Sequence, residues 1–381
     1  MRTIAWLAFL SASSFFIYVL ALYPLLISII ARRAPRRVST RPEQKTVTVL
    51  LPVHNGEQWI RQKLESVLAL NYPHQLMRVI VISDGSTDAT EAIAQEFRPR
   101  GVEVCSIPKG GKPIAINKGM ALADGEILFF TDVRQKLHPD CLRRLVANFA
   151  DPQVGAVCGE LIILDGHTQE EQSVGLYWKI EKWIRRQLSS AGTLLVITGC
   201  VYAVRREAAE PVPQDVLGDD IFIPQAVLRK GYRVVFEEEA KAYDYPTSRD
   251  VEFHRKVRTL AGLYQFVRHH GLGPYPFHFF SYKVSRLLLP YALLVIALSS
   301  PFLTPLPAAI AAVTAQALFY GLAAFDTSLP DGSILKKISS PARTFCMLMA
   351  ASVRSVSVLF VPAANLWKTT HVRAAKTQSG T

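Results

Sequence analysis

Three short apolar runs in the first third of the chain each stop at a polar residue. Thr46 to Val53 (TVTVLLPV) runs into His54-Asn55. Met77 to Ser83 (MRVIVIS) runs into Asp84-Gly85-Ser86. Glu126 to Phe130, inside GEILFFTDVRQKLHPD, runs on to Asp132, with Arg134 two residues later. Val102 to Ile107 is a further strand-like run. Helical patterns separate them. One follows HNGE and reaches Leu70, where Asn71-Tyr72-Pro73 breaks it. One starts at Asp88, placed as an N-cap, and reaches Phe97. One opens at the turn KGGKP and reaches Met120, and a further helix starts after Pro139. Strands alternating with helices at this spacing predict a parallel, doubly wound sheet with both faces covered. Such sheets bind ligands beyond the carboxyl ends of their strands. His54-Asn55, Asp84 and Asp132 all fall at those ends, where a carboxylate is poorly placed for packing and well placed for a ligand.

The pattern changes after the apolar run Val154 to Leu164. Gln169 to Ser190 is a long amphipathic helix with Trp178 and Trp183 among Lys179, Lys182, Arg185 and Arg186, a setting that predicts interfacial anchoring by the two rings. Val196 to Val204 (VITGCVYAV) is apolar around Gly199-Cys200. Asp219-Asp220 opens another helix, Tyr232 to Phe236 forms a strand, and Asp250 to His270 is a basic helix.

Two stretches lack any charged residue. Thr3 to Ala31 is long enough to cross a bilayer, is too long for an ordinary signal-peptide core, and is followed at once by Arg32, Arg33, Arg36, Arg37 and Arg41. By the positive-inside tendency those arginines stay in the cytoplasm. Leu287 to Phe325 is too long for one span, and Pro301, Pro305 and Pro307 divide it into a hairpin of two helices. Lys336, Lys337 and Arg343 mark a return to the cytoplasm. The last apolar stretch, Phe345 to Ala364, holds Arg354 near its middle, costly at a bilayer centre by roughly 2.5–3.5 kcal/mol. With Trp367 at its end and Lys368, Arg373 and Lys376 beyond, it either spans or lies in the interface, and the basic tail favours the interface. The divisions are thus 1–31 (first membrane helix), 32–45 (basic linker), 46–270 (cytoplasmic catalytic unit), 271–325 (membrane hairpin) and 326–381 (loop, last helix, tail).

The net charge of +12 is accounted for by these membrane-flanking basic residues. No groove-reading motif accompanies it, which excludes a nucleic-acid binder. The five cysteines show neither CxxC pairing nor metal-ligand spacing and read as core thiols in a reducing compartment.

LLPVHNGE, VISDGSTDAT, GKPIAINKG, ILFFTDVRQ, TGCVYAVRRE and GDDIFIP occur here in the order found in family 2 inverting glycosyltransferases. The chain resembles the membrane-embedded, cellulose-synthase-like branch over about residues 46–270. The resemblance implies an α/β fold of GT-A type, with a mixed, mostly parallel, doubly wound sheet flanked by transmembrane helices. It implies a nucleotide-diphospho-sugar donor, UDP-linked, and a divalent cation, Mg²⁺ or Mn²⁺. Asp84 takes a nucleotide role in it, with Asn55 and Glu57 nearby; a carboxylate can accept a uracil ring N–H, although Asp before Gly is also a common turn former. Lys112, after Gly110-Gly111 at a helix start, lies near the nucleotide, where backbone N–H groups face an anion; the other reading is an exposed loop lysine. Asp132 ligates the metal. Asp220, with Asp219 second, is the general base, although acids are favoured at any helix start. Gly199 and Cys200 line the acceptor site, or are small for close strand packing. Arg255 and Arg258 reach the diphosphate, or belong to a basic helix on anionic lipid.

Two departures stand out. The family's Asp-x-Asp is here Asp132-Val133-Arg134, so a cation replaces one carboxylate. Arg134 either contacts a phosphate or is a solvated loop residue; in the first case Arg134→Ala costs turnover and leaves the fold intact. The family's Gln-x-x-Arg-Trp is here His254-Arg255-Lys256-Val257-Arg258-Thr259, which lacks the Trp that stacks under an acceptor sugar. With three or four membrane helices, this favours a lipid-linked or short-glycan acceptor, or polymer synthesis only with export or assembly partners. A non-catalytic nucleotide-sugar-binding or regulatory membrane protein is the alternative; the Asp-x-Arg departure supports it and Asp220 argues against it. A Rossmann oxidoreductase lacks its G-x-G-x-x-G, and a pure transporter leaves the large polar unit unexplained.

Overall fold

Alternation along the central strands sorts their side chains onto two buried faces. Leu50, Ile80, Ile82, Leu128, Phe130, Tyr202 and Val204 share one apolar core, while Val47, Val49, Leu51, Val79, Val81, Ile127, Phe129 and Val201 share another. A sheet covered on both sides needs such near-continuous hydrophobic strands. Burying a side chain such as Phe129 completely contributes roughly 1.5–3 kcal/mol. The computed structural model describes residues 2–164, 169–245, 249–330, 332–362 and 366, with the backbone alone for 169–177.

The strands are β1 (Val47–Val53), β2 (Met77–Asp84), β3 (Val102–Ile107), β4 (Ile127–Thr131), β5 (Lys136–Leu137), β6 (Val154–Ile163), β7 (Val201–Arg205) and β8 (Arg233–Asp244). They form one sheet in the order β3-β2-β1-β4-β7-β6-β8-β5. Pairs β1–β2, β1–β4, β2–β3 and β6–β8 are parallel, and β4–β7, β6–β7 and β5–β8 antiparallel. The expected mixed, mostly parallel, doubly wound sheet is present. Helices α2 (Glu57–Leu68), α3 (Thr90–Gln95) and α5 (Cys141–Ala147) cover the second face. Helices α4 (Lys112–Leu122), α6 (Gln169–Ser190), α7 (Asp219–Arg229) and α8 (Arg249–His270) cover the first.

Two local expectations are corrected. The apolar run from Val196 is a strand only from Val201, because Leu194 to Ile197 pack into the core as an irregular segment ahead of it. The strand at Tyr232 to Phe236 continues to Asp244, pairing with β6 and then with β5 beyond a register shift.

Among the described residues, four helices are long and apolar enough to cross a membrane: α1 (Arg2–Arg33), α9 (Pro276–Phe302), α10 (Leu306–Ser328) and α11 (Ile334–Leu359). The break between α9 and α10 falls in the expected proline cluster. Trp6 Nε1 donates to Thr304 O there at 2.8 Å, tying it to α1. The last helix differs from expectation. It begins before the apolar run, at Ile334, so Arg354 lies near its C-terminal end, where a cation meets the carbonyl ends of the helix. Trp367, Lys368, Arg373 and Lys376 lie outside the described residues. Buried Asp326 at the end of α10 pairs with Arg249 of α8 at 2.9 Å and with Lys336 of α11 at 3.6 Å. This ion cluster joins the sheet-covering layer to the apolar helices.

Gly125 shows how close the main chains run where the chain enters β4. A Cβ there would meet Thr48 N at 2.7 Å and Val47 C at 2.9 Å, backbone atoms that cannot rotate away. Gly125→Ala is expected to cost about 1–3 kcal/mol through overpacking. Gly321→Ala, inside α10 and with nothing within 4 Å of its Cβ, is expected to cost no stability and to gain up to about 1 kcal/mol from helix propensity. Thermal melting of the detergent-solubilised protein separates the two; equal melting temperatures would show that the β1–β4 approach is not tight.

Candidate active site

The carboxyl ends of β1, β2 and β4 open on one cleft of about 890 Å³. Its walls include His54 to Trp59 after β1, Asp132 to Gln135 after β4, Val196 to Cys200, the start of α7, and one side each of α6, α8 and α9. Asn55, Glu57, Lys112, Asp132, Arg134, Gly199, Cys200, Asp219, Asp220, Arg255 and Arg258 all line it, so the sequence-derived set converges apart from Asp84.

Lys112 lies at its centre. Its Nζ is 2.9 Å from Asp132 Oδ1 and 3.2 Å from Asp219 Oδ1. Burial alone would neutralise this amine; the two carboxylates more than offset that and hold it charged. The exposed-loop reading of Lys112 is thereby removed. The turn carrying it is fixed by Asp84, whose Oδ1 accepts from Gly110 N at 2.7 Å and whose Oδ2 accepts from Gly111 N at 2.9 Å. One expectation changes here. The amides of the Gly-Gly turn do face an anion, but it is the Asp84 carboxylate. Asp84 is buried, lies outside the cleft wall and shapes the turn, each of its oxygens accepting one amide; its uracil-contact reading rests on the resemblance alone.

Asn55 and Glu57 stitch the loop after β1 to the loop after β2. Asn55 adopts a left-handed φ of 48° and its Oδ1 accepts from Thr87 N at 2.8 Å. Glu57 Oε2 accepts from Ala89 N at 3.0 Å, and Asp88 Oδ2 accepts from Glu57 N at 3.1 Å. Asp88 Oδ1 also accepts from Thr90 N at 3.0 Å, but the cap position of α3 is Ala89, one residue later than expected.

The two acids that open α7 point to different surroundings, as successive residues on a helix must. Asp219 is buried; its Oδ1 faces Lys112 and its Oδ2 accepts from Tyr202 OH at 3.2 Å. Tyr202 is held by pairing with Phe130 across β4–β7, their rings stacked at 4.6 Å. Asp220 has no hydrogen-bond donor or ion-pair partner in reach of its carboxylate among the described residues. Burial and then the charge of Asp219 raise its pKa above the usual carboxylate range, against the pull of Lys112, Lys283 and Arg185. A Cβ on Gly199 would come 3.5 Å from Asp220 Cβ and 3.8 Å from Lys112 Nζ, so the glycine leaves room beside both. Cys200 is a buried core thiol whose pKa is raised by burial, then by Asp132 and Asp244.

On α8, Arg258 faces Asp132 and Asp220, and burial lowers its pKa against the pull of those charges. Arg255 pairs with buried Glu252, and its guanidinium lies 5.4 Å from the Trp178 ring centre, with Lys256 Nζ 4.7 Å from the same ring. Trp178 is therefore a cleft-wall residue, correcting the interfacial reading made from amphipathicity; Trp183 is exposed as expected. Lys63, Glu181, Arg185, Lys283 and Arg286 were missed. Their signal is weak, since each is one charge in a helix. Lys63 is fully buried, its Nζ donating to Thr131 Oγ1 at 2.6 Å and to Gln135 O at 2.7 Å. It fastens both ends of the loop that carries Asp132, and burial lowers its pKa to about 8.

No group of three His, Cys, Asp or Glu side chains converges as a metal cage among the described residues. The donor set instead fits a hard divalent cation held by one carboxylate, Asp132, together with phosphate oxygens of a ligand. Asp132 is about a third exposed and opens on the cleft, and Lys112 is the cation beside it.

Arg134 does not point at this set. Its Nη2 pairs with Asp244 Oδ2 at the end of β8, and Gln135 Nε2 donates to the same oxygen at 2.9 Å. Neither the phosphate-contact reading nor the solvated-loop reading describes that geometry. Asp244 is 1 % exposed, so removing the guanidinium leaves a buried carboxylate without its ion-pair partner, held only by Gln135 Nε2 and Tyr245 N. Arg134→Ala is expected to cost on the order of 3 kcal/mol in stability, and Arg134→Lys to recover part of it. Melting temperature is the readout; an unshifted Arg134→Ala would return the residue to the role of a surface loop.

Residues 48–212 match the family described as glycosyl transferase family 2, and residues 133–324 match glycosyl transferase family group 2. Among curated proteins, the chain is 25% identical over 252 residues to the probable glycosyltransferase YdaM of Bacillus subtilis, covering 61% of this chain and 58% of that protein. It is 27% identical over 214 residues to poly-beta-1,6-N-acetyl-D-glucosamine synthase of Staphylococcus epidermidis, covering 53% of this chain and 50% of that one. It is 30% identical over 116 residues to beta-monoglucosyldiacylglycerol synthase of Synechocystis, covering 29% and 24%. The chain thus spans about half the length of the first two relatives. In fold it is similar to the mannosyltransferase PcManGT of Pyrobaculum calidifontis, solved with GDP-Man and Mn²⁺, with a TM-score of 0.73, 22% identity, and coverage of 94% of this chain and 99% of that one.

Proposed function

The chain belongs to glycosyltransferase family 2, and we propose that it is a membrane-bound inverting enzyme that moves a sugar from a nucleotide-diphospho-sugar to a glycan or lipid-linked acceptor. The observation that carries this is the pair at the start of α7. Asp219 is tied to Lys112 and Tyr202, while Asp220 keeps its oxygens for the cleft.

An inverting transfer needs in-line attack by an acceptor hydroxyl on the anomeric carbon, with the nucleoside diphosphate leaving from the opposite side. Asp220 takes the hydroxyl proton, and its raised pKa makes it a stronger base than an exposed carboxylate. Lys112 and Arg258 place positive charge beside Asp132, where the diphosphate charge develops. Mg²⁺ or Mn²⁺, when bound with the diphosphate, supplies Lewis-acid stabilisation of the leaving group, and Asp132 is the residue that would hold it. Lys63 keeps that residue's loop in place. PcManGT, solved with GDP-Man and Mn²⁺, supports a nucleotide-sugar and metal at this fold position. UDP remains the proposed donor nucleotide on the sequence resemblance, and GDP is its direct competitor, since Asp84 lies outside the cleft wall.

The four apolar helices, with Arg32, Arg33, Arg36, Arg37 and Arg41 after the first, support an integral membrane protein whose catalytic unit, residues 46–270, faces the cytoplasm. The synthases of a polysaccharide and of a glycolipid among its relatives support either acceptor class. Polymer work would call on partner proteins for export. A purely nucleotide-sugar-binding protein is disfavoured because it has no need for an unpaired, cleft-facing acid.

Nucleotide release by the detergent-solubilised protein, with Mg²⁺ or Mn²⁺ and a panel of UDP- and GDP-sugars, tests the reading. Asp220→Asn is expected to lower turnover by about 10²–10⁴-fold. Unchanged turnover in that variant removes Asp220 as the base. The pH profile gives a second check. The base works only when ionised, and its folded-state pKa is raised. The acid limb of kcat/KM therefore lies above the ordinary Asp value of about 3.9, with activity rising as pH rises through it. A limb at or below that value would contradict the assignment.

A further inference from the structure

The membrane side of α8 carries a polar cluster in a place where apolar packing would serve stability as well. Asp326, buried at the end of α10, accepts from Arg249 Nη1 on Oδ2 at 2.9 Å and from Ser339 Oγ on Oδ1 at 2.7 Å. Arg249 Nη2 donates to Ser340 Oγ at 2.6 Å, and Lys336 Nζ donates to Asp326 O at 2.5 Å. Arg249, Asp326, Lys336, Ser339 and Ser340 are all buried. Taking such charges out of water costs about as much as their attraction returns, so a buried pair of this kind fixes an arrangement more than it adds stability. The arrangement it fixes is the first turn of α8, since Arg249 is the first residue of that helix.

The same helix forms one wall of the cleft. Arg258 lies nine residues beyond Arg249, which is about 13 Å along the axis and about half a turn around it. The two arginines thus leave opposite sides of α8. Arg249 meets the membrane helices, and Arg258 lines the cleft and faces Asp132 and Asp220. Neither glycine nor proline interrupts residues 249–258, so a tilt or rotation of the first turn is carried through to Arg258. Farther along, Gly262 rests against the residue that precedes Asp219: a Cβ there would meet Gly218 N at 3.2 Å. The helix is thus held on both sides of Arg258, by the polar clamp at Arg249 and by a close backbone contact at Gly262. The clamp is built from the end of α10 and the start of α11, not from the sheet.

We propose that Arg249 is a positioning residue for sugar transfer: its clamp to Asp326 and Ser340 sets the tilt and rotation of α8 that hold Arg258 at the donor side of the cleft, so that turnover depends on how the membrane hairpin is seated. The inference rests on the reading of Arg258 as positive charge beside the diphosphate. It gives the apolar helices a part in catalysis beyond anchoring.

Nucleotide release by the full-length protein in detergent, with Mg²⁺ or Mn²⁺ and whichever UDP- or GDP-sugar the wild type turns over, tests this through a double-mutant cycle. Arg249→Gln, which leaves Lys336 and Ser339 on Asp326, is expected to lower kcat/KM by about 10²-fold, the loss that a small misplacement from a remote change brings. In the Arg258→Gln background the same change is expected to cost less than about twofold, since the residue it positions is gone. Sites this far apart otherwise act independently, so a merely structural Arg249 predicts that the two losses multiply. That result overturns the proposal, and so does unchanged turnover in Arg249→Gln. Arg249→Lys keeps a charge beside Asp326 and loses the fork to Ser340. It should show an intermediate loss with the same non-additivity, and it decides the matter if Arg249→Gln does not fold. A second readout does not need turnover. The Trp178 ring centre has the Arg255 guanidinium at 5.4 Å and Lys256 Nζ at 4.7 Å, so its emission follows the placement of α8. That emission is taken as the difference between a protein and its Trp178→Phe counterpart, and Arg249→Gln should shift it. A shifted emission with no loss of turnover in Arg258→Gln means that the donor-side reading of Arg258 fails while the clamp on α8 stands. An unshifted emission with full turnover in Arg249→Gln, beside a loss in Arg258→Gln, overturns the clamp and leaves that reading intact.

Discussion

One ammonium group holds the cleft together. Lys112 reaches the site from the start of α4, and the carboxylates it bridges come from the end of β4 and the start of α7, far apart in sequence. Without that cation, Asp132, Asp219 and Asp220 would crowd negative charge into a half-buried space. The position of Lys112 depends in turn on the Asp84 carboxylate, which pins the two preceding amides. Gly85 makes this possible. It has φ of 60°, and a Cβ there would meet Lys109 N at 2.6 Å. The motif Ser83-Asp84-Gly85 is thus a clamp on the turn that delivers the lysine.

The strand ends were legible in the sequence because a buried parallel strand leaves a plain signature: an apolar run with β-branched residues, closed by a polar one. The alternation with helices fixed the topology class, and the topology rule fixed the ligand side of the sheet. The partners were not legible. Arg134 and Asp244 are 110 residues apart, and nothing local marks them as a pair. The same holds for Lys63 with Thr131 and Gln135, and for Glu181 with Lys283 and Arg286. For Lys63, Glu181, Lys283 and Arg286, a solvated charge on a helix has the same local pattern as a buried one; Arg134 and Asp244 meet only through the pairing of β5 with the end of β8. Trp178 was misread for that reason: a ring among lysines and arginines fits a membrane interface, and equally a cleft in which Arg255 and Lys256 cover the ring.

The Asp-x-Arg departure is best understood through the sheet. The strand order places β8 beyond β6, and its end swings back to pair with the two-residue β5 that follows Arg134. Arg134 bonds the end of β8 from that position, and Lys63 secures the same loop from beneath. The loop carrying Asp132 is thereby fixed at Thr131, Arg134 and Gln135, leaving Asp132 as its cleft-facing acid. A second carboxylate at 134 would sit against buried Asp244 and repel it. Arginine at this position therefore exchanges a carboxylate for a closed sheet edge, and the positive charge beside Asp132 comes from Lys112 and Arg258 instead.

That exchange also bears on Asp220. A general base is effective when its proton affinity is raised without its being tied to a donor. Burial and then the charge of Asp219 do the raising, and Asp219 is held in place by Lys112 and Tyr202. The adjacent acid is then left free on the cleft side by the turn of the helix. Two identical residues, adjacent in sequence, take different surroundings because one faces Lys112 and Tyr202 and the other faces the open cleft. The cation paired with Asp132 thus also holds Asp219 in place beside Asp220, so the acids after β4 and at the start of α7 share one electrostatic centre.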